Sequence, residues 1–178
     1  MQNMMSFLIL PVLGAVFCYM GTILRQGYSN KKIGISTFIL VAIHDITQLY
    51  LNITYSQNSQ NVLRNYHNSF IGNLMDIYIN VYWLIIINIL IAIIMNLFIY
   101  YYIDSVGKSF WSCSFKVCIN SALLCSLTDK IIFKGSIDFL LLMDVYMVDI
   151  KDIYMIISVV LLLCEIILND REVVVTTK

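Results

Sequence analysis

The chain reads as an all-α polytopic membrane protein, with a four-helix core, a small outer loop and strand region, and one extra N-terminal helix. Two observations carry that reading. Of its 178 residues, 60% are hydrophobic and 12% charged, with one proline and seven glycines, whereas soluble domains carry about 25% charge. The apolar residues also gather into runs near the ~20 residues that a helix needs to cross hydrocarbon, with polar punctuation between them.

Residues 4–24 form the first run, and the basic segment RQGYSNKK follows it. No small-x-small cleavage pattern with a positive leading region is present, so a cleaved signal peptide is disfavoured. The second run, 33–53, is interrupted by His44, Asp45 and Gln48. Residues 54–72 are polar and belong outside the hydrocarbon. The third run, about 78–103, is the most apolar and ends in Tyr100, Tyr101 and Tyr102, an aromatic belt of the kind found at membrane interfaces. After the turn DSVGKS, the fourth run covers about 110–128. The mixed segment 129–150 is too short and too charged to cross twice, so a re-entrant or strand-like loop over the helix ends is expected. The last run covers about 151–168, and a polar tail occupies 169–178. This divides the chain into 1–32 (extra helix and basic loop), 33–168 (membrane domain) and the tail.

Arg25, Lys31, Lys32, Lys108, Arg171 and Lys178 fall on one side of this topology, and Arg64, Lys130, Lys134 and Lys151 on the other. Basic residues favour the cytoplasm, so 54–72 and 129–152 are expected outside. The formal charge of zero leaves no basic surface for nucleic acid. Cys18, Cys113, Cys118, Cys125 and Cys164 include no Cys-x-x-Cys pair and read as small buried hydrophobes rather than disulfide partners. No phosphate loop or His/Glu metal motif is present, and no metal or organic cofactor is implied.

The chemistry is expected at two acids. Asp138, in KGSIDFLLL, and Asp152, at the mouth of the last run, are carboxylates beside hydrocarbon, where such a group usually faces a polar cavity and works there. Asp45, mid-segment beside His44, reads either as an interhelical hydrogen bond or as part of that cavity. Asp129 and Lys130 read as an interfacial ion pair, and Glu165 and Lys116 as side chains that snorkel to the interface. Asp76, Asp104 and His67 read as solvated.

Residues 121–158 resemble the C-terminal half of the lipoprotein signal peptidases (signal peptidase II), membrane aspartyl proteases. That family carries a G-N-x-x-D-R motif, an aspartate eight residues after its Arg, and an N-x-A-D motif opening the last helix. Ser126-Leu127-Thr128-Asp129-Lys130 occupies the first, Asp138 the second, and Asp149-Ile150-Lys151-Asp152 the third. Upstream, Asp45 resembles the family's Asp in the first core helix, and the segment from Asn65 to Phe70 resembles its outer-loop N-x-G-x-x-F. A rival register makes 4–24 the first core helix; Lys31 and Lys32, as a cytoplasmic anchor before 33–53, favour Asp45.

The resemblance implies a catalytic pair, Asp138 and Asp152, supported by Asp45, Asn65, Ser126, Asp129, Lys130 and Asp149. It also implies a lipid-modified precursor protein as substrate, cut before its diacylglyceryl-cysteine, and a monomer among membrane lipids with its site at the outer face of a bacterial plasma membrane. Lys151, where the family has Ala, is expected to pair with Asp152 and depress its pKa. Two other readings stand beside this one: a non-catalytic relative that binds lipidated or hydrophobic peptides in export or immunity, and a small carrier or proton relay.

Overall fold

The computed structural model describes residues 14–15, 18, 21–22, 27, 29–56, 64–65, 81–133, 136–138, 140–142 and 146–176. Four long helices dominate these residues: α1 (Asn30–Ser56), α2 (Val81–Val106), α3 (Phe110–Thr128) and α4 (Ile150–Thr176). Between α3 and α4 lie a wide turn (Asp129–Phe133) and three short strands, β2 (Ser136–Ile137), β3 (Leu140–Leu142) and β4 (Tyr146–Val148). The remaining strand, β1 (Arg64–Asn65), pairs antiparallel with β2, and β3 pairs with β4. Most of the expected first helix (4–24) lies outside the described residues, although residues 14, 15, 18, 21 and 22 are helical. Asp76 and His67 lie outside them too.

Local chemistry sets the helix ends. Ser29 caps α1, its Oγ accepting from the Lys32 amide at 3.2 Å. Gly107 ends α2 with φ 101°, a left-handed conformation that glycine adopts without a Cβ penalty, and its amide reaches the Ile103 carbonyl at 2.9 Å. Two residues later Ser109 starts α3 with a capping box: its Oγ accepts from the Ser112 amide, and its own amide donates to Ser112 Oγ. This short turn makes α2 and α3 antiparallel neighbours.

Cross-helix bonds give the remaining directions. Ser121 Oγ donates to the Thr37 carbonyl at 3.4 Å and Thr128 Oγ1 to Asp45 Oδ1 at 3.0 Å, so α1 runs parallel to α3. Lys151 meets Asp129 at one end of α3, while Glu165 meets Ser109 at the other, so α4 runs antiparallel to it. The result is an up-down-up-down bundle in which α3 packs against the other three helices. Along α3, Cys113, Val117, Cys118, Ala122 and Cys125 join Leu40, Leu51, Ile150 and Tyr154 in the core. Three cysteines thus behave as the small buried hydrophobes expected, whereas Cys18 is exposed.

Three helical stretches are long and apolar enough to cross a membrane: Asn30–Ile53, Val81–Val106 and Phe110–Phe133. α2 turns Tyr82, Trp83, Leu90, Ile94 and Leu97 outward, a surface suited to acyl chains rather than water. α4 is as long as α1, but Lys151, Asp152 and Glu165 interrupt its apolarity. Its apolar run starts at Ile153, because residues 150–152 form a polar first turn. The helix also continues through 169–176, into the segment read from the sequence as a polar tail.

The few polar groups inside the bundle pair across helices. Asn96 and Asn120 exchange amide hydrogen bonds of 2.7 and 3.2 Å, and Asn88 donates to Ser126 Oγ at 2.8 Å. Thr37 and Thr47 return their hydroxyl protons to carbonyls four residues back, which satisfies each group without a partner helix, and Ser121 shares its proton between the Val117 carbonyl of its own helix and the Thr37 carbonyl of α1.

Candidate acid site at one end of the bundle

The end of the bundle where α3 finishes and α4 begins, level with the middle of α1, collects the acids. Asp149 is the N-cap of α4. Its Oδ1 accepts from the Asp152 amide at 3.2 Å, and Asp152 Oδ2 accepts from the Asp149 amide at 3.1 Å. This is a capping box made by two aspartates, at the helix end whose dipole favours negative charge. The D-x-x-D spacing in VDIKDIYM carries that signal in the sequence.

Asp138 follows β2 directly. The pairing of β1 with β2 sets Asn65 opposite Ser136, two residues from Asp138. One carboxylate oxygen from each of Asp138, Asp149 and Asp152 lies within 4.8 Å of the others, with Asp149 buried and the other two half-buried. The two acids singled out in the sequence therefore sit together, with Asp149 as a third.

Lys151 balances this charge. Its ammonium bonds to Asp149, and to Asp129 Oδ2 at 2.8 Å. Asp129 also meets His44 Nε2 at 3.0 Å, and both residues are buried. A continuous polar chain thus runs from His44 on α1 through Asp129 and Lys151 to Asp149, the cap of α4. His44 Nδ1 is buried and has no hydrogen-bond partner. His44 is the member that sequence reasoning passed over in favour of its neighbour.

Several expectations change here. Lys151 does not pair with Asp152: consecutive helical side chains point in different directions, and Lys151 is turned toward α3. Burial, followed by the charge of Asp149, raises the pKa of Asp152 rather than depressing it. Burial opposes the charge on Lys151, but Asp149 and Asp129 outweigh it and raise the ammonium's pKa. Asp129 and Lys130 do not pair either. As successive residues of the wide turn they point in different directions, and Lys130 Nζ donates to the Ser126 carbonyl at 3.0 Å and its hydroxyl at 2.5 Å. Asp45 makes an interhelical bond to Thr128, two residues from Ser126. Glu165 does not snorkel: it is buried at the opposite end, where it accepts from Tyr102 at 3.1 Å and from Ser109. Asp104 is exposed, as expected.

Among the described residues, two clusters have the ligand spacing of a cation site: Asp138 with Asp149 and Asp152, and His44 with Asp129 and Asp149. In the second, the Lys151 ammonium already lies against both carboxylates. In the first, three hard oxygens could take a divalent ion, or two of them could share a proton over a trapped water.

Compared with protein-family models, curated proteins and solved structures, the chain matches none.

Proposed function

We propose that the chain is a multi-pass membrane aspartic endopeptidase that resembles lipoprotein signal peptidase and uses Asp138 and Asp152 as its catalytic pair. The observation that supports this most is the approach of their carboxylates to within 4.8 Å at the end of a membrane bundle. Carboxylates this close do not both ionise cheaply, so the pair holds one proton and titrates as a unit. The ionised member takes a proton from water as the water oxygen attacks the scissile carbonyl carbon. The neutral member donates to the carbonyl oxygen, and the tetrahedral adduct then collapses with proton transfer to the leaving amine. The raised pKa of Asp152 suits it to the neutral role.

The substrate proposed is a lipid-modified precursor protein cut before its diacylglyceryl-cysteine. In this reading the acid end of the bundle faces the outside of a bacterial plasma membrane, because Lys31, Lys32 and Lys108 lie at the other end. Asn65, beside β2, stands near where an extended substrate would pass. Asp129, Ser126, Lys130 and Asp45 brace the wide turn that leads to β2.

The departures from the family motif compensate one another. An extra acid, Asp149, stands where that family has Asn, and an extra cation, Lys151, stands where it has Ala; the two are bonded to each other. One observation favours the second reading, a non-catalytic relative that binds lipidated peptides: the Lys151–Asp149 bridge sets a fixed cation beside the pair. The test is cleavage of a lipidated precursor by the purified protein. Asp138→Asn and Asp152→Asn should each lower the rate by roughly 10²-fold or more while the fold is kept. A wild type that binds precursor without cutting it, and variants that bind it equally well, would leave the binding reading standing.

A further inference from the structure

The end of the bundle away from the acids carries a groove that the peptidase reading does not use. It lies between α1 and α3, has a volume of about 450 Å³ and opens sideways. Its walls change character along its length. Asn30, Ile33, Gly34 and Lys116 line it toward the start of α1, Thr37 and Asn120 line the middle, and Phe38, Val41 and Leu124 line it farther along the span.

Lys116 is the informative residue. It sits six residues into α3, or about 9 Å along the helix at 1.5 Å per residue, within a membrane-crossing stretch. Thr37 is satisfied by its own helix and Asn120 by Asn96, whereas Lys116 is half-buried and makes no hydrogen bond or ion pair among the described residues. A cation held in a span without a partner is costly, and such residues usually meet a ligand or a pathway. Lys31, Lys32 and Lys108 stand at the same end, and the leaflet that basic residues face is the anionic one.

We propose that this groove binds one anionic phospholipid of the leaflet on the basic side. Its phosphate lies against Lys116, and one acyl chain runs past Thr37 toward Val41 and Leu124. Asn30 and Lys116 near the basic end, with Phe38, Val41 and Leu124 farther along the span, match the head-to-tail order of a lipid of that leaflet. Gly34 supplies width: a Cβ there meets nothing within 4 Å, so the groove is open beside it. This site is independent of the acids and of whether they cleave anything.

The test reads phospholipid retained by the full chain after extraction from vesicles of phosphatidylcholine containing phosphatidylglycerol, with native mass spectrometry as the count. Wild type should retain phosphatidylglycerol in preference to phosphatidylcholine. Lys116→Gln should lose about fivefold, the effect of roughly 1 kcal/mol per basic residue at an anionic surface, and Lys116→Arg should retain binding. Gly34→Leu keeps the charge and fills the groove without a backbone clash, so it should displace the lipid in a protein that still folds. Equal retention of the two lipids, no change in both Lys116→Gln and Gly34→Leu, or displacement by millimolar inorganic phosphate would each overturn the assignment, the last by showing a site for a free anion.

Discussion

Removal of the Lys151 ammonium tests the polar chain most directly. Lys151→Met keeps much of the aliphatic length and deletes the charge that touches Asp129 and Asp149. Both acids are nearly inaccessible, with side-chain exposures of 3% and 0%, and Lys151 itself is 16% exposed. Surface-pair values of less than about 1 kcal/mol therefore do not apply. Removing one partner of a buried pair costs about 3–5 kcal/mol, because the other charge stays behind without compensation. Asp129 retains His44 at 3.0 Å, so Asp149 bears most of the loss. For a chain of this size about 1 kcal/mol corresponds to roughly 2–4 °C in Tm, which places the expected fall near 6–20 °C in a thermal melt of the detergent-purified protein. Asp149→Asn, which keeps a capping side chain, should cost less on its own. The double variant should recover part of the Lys151 loss, with a coupling of about 0.5–3 kcal/mol. Strictly additive losses, or a Lys151→Met protein as stable as wild type, would refute the compensation argument.

The raised pKa of Asp152 fixes a pH dependence. Its neutral form persists above the ordinary carboxylate value of 3.8, so the alkaline limb of cleavage should lie above that pH. Asp149→Asn removes the second cause of the shift and should move the limb toward acid; a pH–rate profile that does not move would sink the assignment. The stability contribution has the same sign: protonated Asp152 favours the folded state, and that benefit is lost as pH rises through its folded pKa. If the three clustered acids share protons rather than a metal, EDTA should leave both cleavage and Tm unchanged, and a loss restored by Mg²⁺ or Ca²⁺ would reassign them. Between α2 and α3, Asn96→Leu or Asn120→Leu alone strands a partner amide and should cost about 0.6–2 kcal/mol. The double Leu variant should be closer to wild type by thermal melt.

Three of the expected spans were legible because hydrocarbon imposes one rule on every residue in a run. The run read at about 110–128 coincides with α3, which the Ser109 cap and the wide turn bound on either side. The strand-like character of 129–150 was legible from its charge and length alone. The two acids that meet were singled out because each is a carboxylate beside hydrocarbon, Asp138 in KGSIDFLLL and Asp152 at the mouth of the last run. Direction was not legible. Neighbours in sequence were read as neighbours in space, giving Asp129–Lys130 and Lys151–Asp152, and both pairings fail for the same reason. Side chains one apart on a helical path diverge: Lys151 reaches across to Asp129, while Lys130 turns back to Ser126 on its own helix.

His44 shows what limits such a reading. A lone histidine in an apolar run is ambiguous until the facing helix is known, and Asp45 beside it offered the more familiar acid. The two residues lie on adjacent faces of α1 and divide the work. Asp45 reaches Thr128 and ties α1 to the last turn of α3, while His44 reaches Asp129, one residue on, and through it Lys151 and the cap of α4. A change at either would therefore be felt where α4 begins, because the wide turn that starts at Asp129 carries the chain directly to β2 and Asp138. The catalytic pair proposed here thus depends for its position on α1, a helix that contributes neither acid.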